Sequence, residues 1–598
     1  MADEQHEIRH IRWNEVFSFT QVFKSFGLAI HPSKLAMALA AIVVIFLGGW
    51  LMDRAWSVGK AYVMPAHSGV ADEITAFTQM PSADFNDQVK SWKESRAKKA
   101  EILWGRWERE KQQLTRFRSA FAGKLGISFG KLLNEANQGL EVKQPEAAEN
   151  IPWPRLLKDA QEAFEDSLDR AEKLLEDAKK DVAGTIDILP GEEKRNARKE
   201  LEEELTKARQ KLTAMRLEFN EEVEGIRGRP VFASLLSFEA NCVHSALNAV
   251  RYGRIFTGLS EYGTSTASNV DKGFLFFGLL ALHGVLWLIC NHLLFAIIFL
   301  VFSLAVWALF AGAICRISAL HAARDEKISM GQALRFSAGK FFSFFAAPLI
   351  PLFIIVFIGA LIFLGSLLAN IPVVGPIILG LGFLLAILGG LLITFLLFGL
   401  VGGGALMYPT IAVEGSDSFD AISRSYSYIF KRPWRAGLYS LAAVVYGSLC
   451  YLFVRLFAFI SLKVTHVAVK MGVFTGGEGL EGASDKIDVM WAAPTFGNLH
   501  GGITPGLLPW YEAPAAWLLC LWVYLVVGVV VAFLISYYCS ATTIIYYLLR
   551  RQVDATDFDD VYVAEAHEEQ FEPAPAEPQQ GDVVPEPVED QGEEGKEA

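Results

Sequence analysis

One arginine stands alone inside an apolar run: Arg455, in YGSLCYLFVRLFAFISLK. A charge in hydrocarbon is costly, so it marks a path or ligand contact, or a side chain long enough to snorkel to the interface. Arg455 lies 21 residues beyond Trp434, near one end of its run, which suits snorkelling or a contact with lipid phosphate. None of the six longest apolar runs contains Asp or Glu. Carboxylate-coupled transport therefore has no coupling group there.

Other candidates are glycines. Gly382, Ala386 and Gly390 fall at four-residue steps, as do Gly399 and Gly403. Small residues at that spacing let helix backbones approach closely. The consecutive Gly402, Gly403 and Gly404 would also weaken a helix, making Gly402 and Gly403 candidates for a bend lining a membrane path. His292, His321 and His466 are isolated and read as satisfied polar residues. The six cysteines (242, 290, 315, 450, 520, 539) show no CxxC or zinc-type spacing, so neither a disulfide framework nor a metal site is expected. The GxxxxGK[ST] pattern is missing, which removes the usual signal of nucleotide hydrolysis; HExxH and GxSxG each occur once, at His6–His10 and Gly126–Gly130, and neither short match by itself indicates zinc or serine hydrolysis. The expectation is a non-enzyme with no cofactor and no nucleic-acid partner.

The elements that position these residues are membrane spans. The chain has 598 residues, 52% hydrophobic and 20% charged, with 43 Phe and 14 Trp. Its mean hydropathy is +0.30. Its charges collect in 84–228 and in the last stretch. Val553 to Ala598 holds 16 acidic residues and one Lys, so the formal charge of −12 describes a tail and the remainder is mildly basic. That tail, rich in Pro, Glu and Gln, cannot bury enough apolar surface to offset ordering entropy, and 553–598 is expected to be disordered. A span needs about 20 apolar residues. Six runs qualify: 35–52, 292–315, 349–369, 377–408, 437–462 and 515–549. The first follows a leader too long for a cleavable signal peptide and reads as an uncleaved anchor. A seventh run, 274–290, precedes Asn291-His292 and is read as re-entrant or interfacial.

Three runs are introduced alike, by a short amphipathic segment rich in Ser and aromatics that ends in a proline. These are 17–32, 329–348 and 418–433. Phe19, Phe23 and Phe26 share one face, and Tyr426 shares another with Ile422 and Ile429, so these residues are the expected anchors of helices lying in the membrane plane. The fold class is therefore all-α and polytopic, with about six spans in three tandem units of interfacial helix plus two spans.

The insertion 53–273 is helical. Leu157, Ala160, Phe164, Leu168, Ala171, Leu175 and Ala178 recur at steps of 3 or 4. After a Gly/Pro break the pattern resumes at Leu201, Leu205, Ala208, Leu212, Met215, Phe219 and Val223. With charges between, this predicts an antiparallel coiled-coil hairpin, flanked by helices over 84–125 and 231–252.

Lys and Arg of short loops stay cytoplasmic. Basic residues flank four positions: Arg9, Arg12, Lys24 and Lys34; Arg316, Arg324, Lys327, Arg335 and Lys340; Arg424, Lys431, Arg432 and Arg435; and Arg550 with Arg551. All four flanks share one side only with six spans. Segment 1–34 and the tail are then cytoplasmic, and 53–273 and the Gly-rich loop 464–514 lie outside, with 274–463 and 515–549 as membrane regions. The expected location is a cell membrane, plasma or inner. The expected function is a scaffold or envelope organiser that presents 84–252 to another protein from the lipid bilayer. The alternative is a passive permease or lipid-handling protein with a path between spans.

Overall fold

The computed structural model describes residues 18–58, 62–66, 71–124, 152–188, 190–259, 271–372, 374–472, 487–488, 490–501 and 513–562. Most of these residues are helical, and the one β feature among them is an isolated bridge between Val63 and Arg229.

A 3-10 turn, Ser18–Lys24, runs into α1 (Ser25–Ala29) and then α2 (Pro32–Val58). The insertion contributes α3 (Glu73–Gln79), α4 (Ser82–Lys124), α5 (Trp153–Ile186), α6 (Gly191–Arg227) and α7 (Val231–Arg251). Then come α8 (Phe274–Asn291), α9 (Leu293–Arg324), α10 (Met330–Gly339), α11 (Phe341–Leu367) and α12 (Gly375–Glu414). The chain closes with α13 (Ser418–Lys431), α14 (Pro433–Gly472) and α15 (Ala513–Val553).

Seven helices are long and apolar enough to cross a membrane: α2, α8, α9, α11, α12, α14 and α15. The chain is thus a multi-pass membrane protein by length and composition. The count differs from six because 274–291 is an unbroken 18-residue helix, separated from α9 only at His292. Helices α12 and α14 have 40 residues each, about 60 Å at 1.5 Å per residue, roughly twice a hydrocarbon core of about 30 Å. Helix α14 outruns the expected end of its span because Lys470 pairs with Asp488, which gives its polar last turns a partner.

The core sits at one end of the bundle. Ala311–Leu320 of α9 and 539–550 of α15 are buried without interruption, as is Leu406–Val413 of α12 apart from the half-buried Tyr408, and the three helices touch one another there. Helices α2, α1, α10 and α13 wedge between them. The opposite halves of α11 and α12 pair with each other and otherwise expose Leu, Ile and Phe, as lipid-facing helices do. Chain 554–562 returns across the core end, where Tyr562 N–H donates to Val413 O at 2.8 Å. The tail, expected to lie free from 553, is therefore fastened as far as Tyr562. The rest of it, 563–598, and the leader 1–17 lie outside the described residues, as do 473–486 and 502–512 of the Gly-rich loop.

At the other end, α5 and α6 pack antiparallel across a short turn. Phe164 stacks on Phe219 with centroids 3.9 Å apart, and Leu157, Leu168, Leu212 and Val223 are buried with them. Helix α4 lies against α5. A second cluster, with Val63, Ile74, Phe85, Phe232, Trp287 and Phe295, welds α3, α4, α7 and α8 to the start of α9.

Candidate functional site

Polar side chains concentrate where the insertion meets the bundle. Asp53, in the last turns of α2, accepts the Phe232 N–H at Oδ1 (2.8 Å) and the Ala233 N–H at Oδ2 (3.1 Å). Those groups open α7, whose preceding residue is Pro230 and offers no side-chain cap of its own. A carboxylate from another helix therefore caps α7 and meets its positive dipole end.

Glu73 does similar work one helix along. It is buried, and it accepts Met64 N–H at Oε2 (2.9 Å) and the Trp287 indole N–H at Oε1 (3.3 Å). Burial pushes its carboxyl pKa upward against these bonds, with Lys93 and Arg96 opposing the shift. Glu73 thus ties the chain leaving α2 to α8, and Arg96, stacked 3.5 Å from the Trp92 ring, packs the same region.

Arg455 forms the third anchor. It is 7% exposed, so it does not snorkel. Its Nε and Nη2 donate to Phe496 O at 3.1 and 2.9 Å, and Nη2 also donates to Gly497 O at 3.0 Å. Its Nη1 donates to the Tyr451 hydroxyl at 3.0 Å and to His244 Nδ1 at 2.7 Å. Carbonyls and a neutral ring surround the guanidinium, and it joins α14 to α7 and to 490–501. The expected lipid contact is thus replaced by protein contacts. His244 can accept only while Nδ1 is unprotonated, and burial followed by the Arg455 charge lowers its pKa.

The glycines pack helices. A Cβ on Gly399 would meet the Tyr426 ring at 2.3 Å, one on Gly402 would meet Ile429 at 3.0 Å, and one on Gly403 would meet Ser425 O at 3.2 Å. This row seats α13 on α12, and α12 continues unbroken through 402–404. Tyr426 is 8% exposed and donates its hydroxyl to Leu396 O at 3.0 Å. Phe26 lies between Phe453 and Phe533, and Phe23, at 45% exposure, rests on Tyr446 and on Phe19. The aromatic faces of α1 and α13 thus turn largely onto neighbouring helices.

Several residues that matter were not singled out from sequence. Lys34, read from sequence as part of a cytoplasmic basic flank, is fully buried, and its ammonium donates to Ser318 Oγ (3.0 Å) and Ser540 Oγ (3.5 Å). Its spacing from Met37, Ala38 and Ala41, all buried, was the available signal. At the same end Glu414 gathers Arg424 (2.8 Å), Arg550 (3.2 Å) and the Tyr546 hydroxyl, while Arg316 donates to Ala412 O and Tyr562 O. Among the described residues no group of three His, Cys, Asp or Glu side chains could hold a metal ion.

Three buried side chains, Asp53 on α2, Glu73 on α3 and Arg455 on α14, join the insertion to neighbouring helices by hydrogen bonds. No protein-family model matches the chain, and neither a curated protein nor a solved structure matches it.

Proposed function

We propose that this protein is a non-enzymatic scaffold of a cell membrane, plasma or inner, that presents the helical unit 84–252 to a protein partner at a fixed position. The observation that carries the reading is the Asp53 cap on α7, backed by Glu73 and Arg455: a platform fastened by buried bonds keeps its geometry relative to the bilayer. In this reading the α5–α6 hairpin is a coiled coil whose far face is the contact surface, and 563–598 is a solvated acidic tail.

The chain crosses six times, with both termini cytoplasmic and the insertion outside. Two features support this. Helix α8 packs along α7, and its other face carries a continuous exposed stripe of Leu275, Leu279, Leu282, Leu286 and Ile289, as a helix lying in the interface would. The four basic flanks then share one side. The three-unit plan draws support from Ser25, Ser337 and Ser425, one fully buried serine in each short introductory segment.

Photo-crosslinking tests the scaffold. A photoreactive residue at exposed Lys158 or Arg195 in intact cells should give one discrete protein adduct. Asp53→Ala should weaken that adduct without lowering the amount of protein in the membrane. Diffuse adducts insensitive to Asp53, together with solute flux through proteoliposomes of the pure protein, would replace this reading with a permease.

A further inference from the structure

A cavity of about 270 Å³ lies where α7 meets α8 and the chain joining α2 to α3. Ser234, Ser237, Asn241 and Ser245 line it from one face of α7, at steps of 3 or 4. Residues 63–66, Asp72 and Thr75 line it from the joining chain and the start of α3. Phe277 and Leu280 line it from α8, and Arg229, just ahead of α7, completes the set.

The polar side chains have bonding capacity to spare. Ser237 and Asn241 are exposed and Ser245 is half-buried, and none has a side-chain hydrogen-bond partner among the described residues. Asp72 accepts the Thr75 N–H at Oδ2 and keeps Oδ1. Arg229 and Asp72 are the one cation and the one acid in the lining, so the charges balance and a neutral ligand is favoured. The backbone there is already spent. Val63 and Arg229 exchange N–H···O bonds of 2.9 Å in both directions, and Met64 bonds Glu73 through both its N–H and its carbonyl. Pro65 has no N–H to offer, so an extended peptide finds no free strand edge. What remains is hydroxyls and an amide, which donate and accept together, beside the apolar side chains of Phe238, Phe277 and Leu280.

A sugar ring matches both halves of this lining. Its hydroxyls donate and accept as the Ser and Asn side chains do, and its C–H face packs on apolar and aromatic groups. Pockets for drug-sized ligands run about 300–1,000 Å³, so this space suits one small ring.

We propose that this cavity binds a single neutral sugar ring, with Ser237, Asn241 and Ser245 bonding its hydroxyls and Phe277 and Leu280 against its C–H face. The site is independent of the scaffold reading. A free saccharide and a glycolipid headgroup offer the same ring.

The test is thermal melting of the purified full chain in a polyoxyethylene detergent, which carries no sugar. The probes are glucose, galactose, mannose and N-acetylglucosamine, and glucosyl diacylglycerol against plain diacylglycerol. Sugars stabilise folded proteins generally by exclusion from their surface. The reading is therefore the difference from Ser237→Trp, an exposed position whose new indole fills the cavity. At least one sugar probe should give a saturable rise in melting temperature that Ser237→Trp lacks. Asn241→Ala should weaken its apparent affinity about fivefold, as the loss of one hydrogen bond would. Ala240→Trp, exposed on α7 outside the cavity, should leave it unchanged. A rise with a free sugar supports the site with a soluble occupant, and a rise with glucosyl diacylglycerol alone supports it with a lipid headgroup. Identical responses of wild type and Ser237→Trp to every probe, or equal losses in Asn241→Ala and Ala240→Trp, would overturn the site.

Discussion

Asp53 receives the backbone N–H of Phe232 at 2.8 Å, closing the chain on itself across 179 positions. The residue that ends the first span's apolar stretch also starts the helix that returns from the insertion. Removing such a cap costs about 0.5–2 kcal/mol. Asp53→Ala should lower the melting temperature of the full chain and speed hydrogen exchange at 231–236. Asp53→Asn, which keeps one acceptor, should do less. Equal exchange in wild type and Asp53→Ala would mean that the cap does not hold α7.

The Gly399–Tyr426 contact makes a second prediction. Gly399→Val puts a Cβ 2.3 Å from the ring, and overpacking of this kind costs about 1–3 kcal/mol. Tyr426→Ala should relieve much of that loss in the double variant, so the two changes should be strongly non-additive. Simple additivity in melting experiments would show that α13 does not sit on that face.

The hairpin can be probed at Leu212, buried in the seam between α5 and α6. Leu212→Ala should cost about 2–4 kcal/mol. Pulse proteolysis of the intact protein should show easier cleavage within 153–227. A change below about 0.5 kcal/mol would place Leu212 on a solvated face.

The spans and the α5–α6 hairpin were legible because each is written in local periodicity. Runs such as 437–462 and the steps from Leu157 to Ala178 need no distant partner to be recognised. The anchors were not. Asp53 and Lys34 look like ordinary flanking charges until Phe232, Ser318 and Ser540 are brought to them from 179, 284 and 506 residues away. Periodicity also shows that Phe26 and Tyr426 occupy an apolar face without showing whether that face meets lipid or protein. Arg455 was found as a lone charge, but its partners Phe496 and His244 lie on other elements, so its contacts were beyond reach.

The Arg455–His244 contact carries a pH dependence. The ring is held below the ordinary imidazole value of about 6.5 by burial and by the guanidinium. Above that value both folded and unfolded chains keep it neutral, and the contact is intact. As the pH falls through about 6.5 the unfolded chain takes up a proton that the folded one resists, so stability drops until the lower folded value is reached. Exchange at 490–501 should therefore speed up on mild acidification. His244→Gln should flatten that response. An identical pH profile in the variant would remove His244 from the account.

The arrangement of the insertion and the tail-bearing end across the membrane is the claim on which the scaffold stands, and cysteine accessibility measures it directly. With the six native cysteines replaced, Lys158→Cys and Ser423→Cys place single thiols at exposed positions on the hairpin and on α13. An impermeant maleimide should label Lys158→Cys in intact cells and Ser423→Cys only after permeabilisation. Labelling of both from the same side would contradict the six-crossing topology and the presentation of 84–252 across the bilayer.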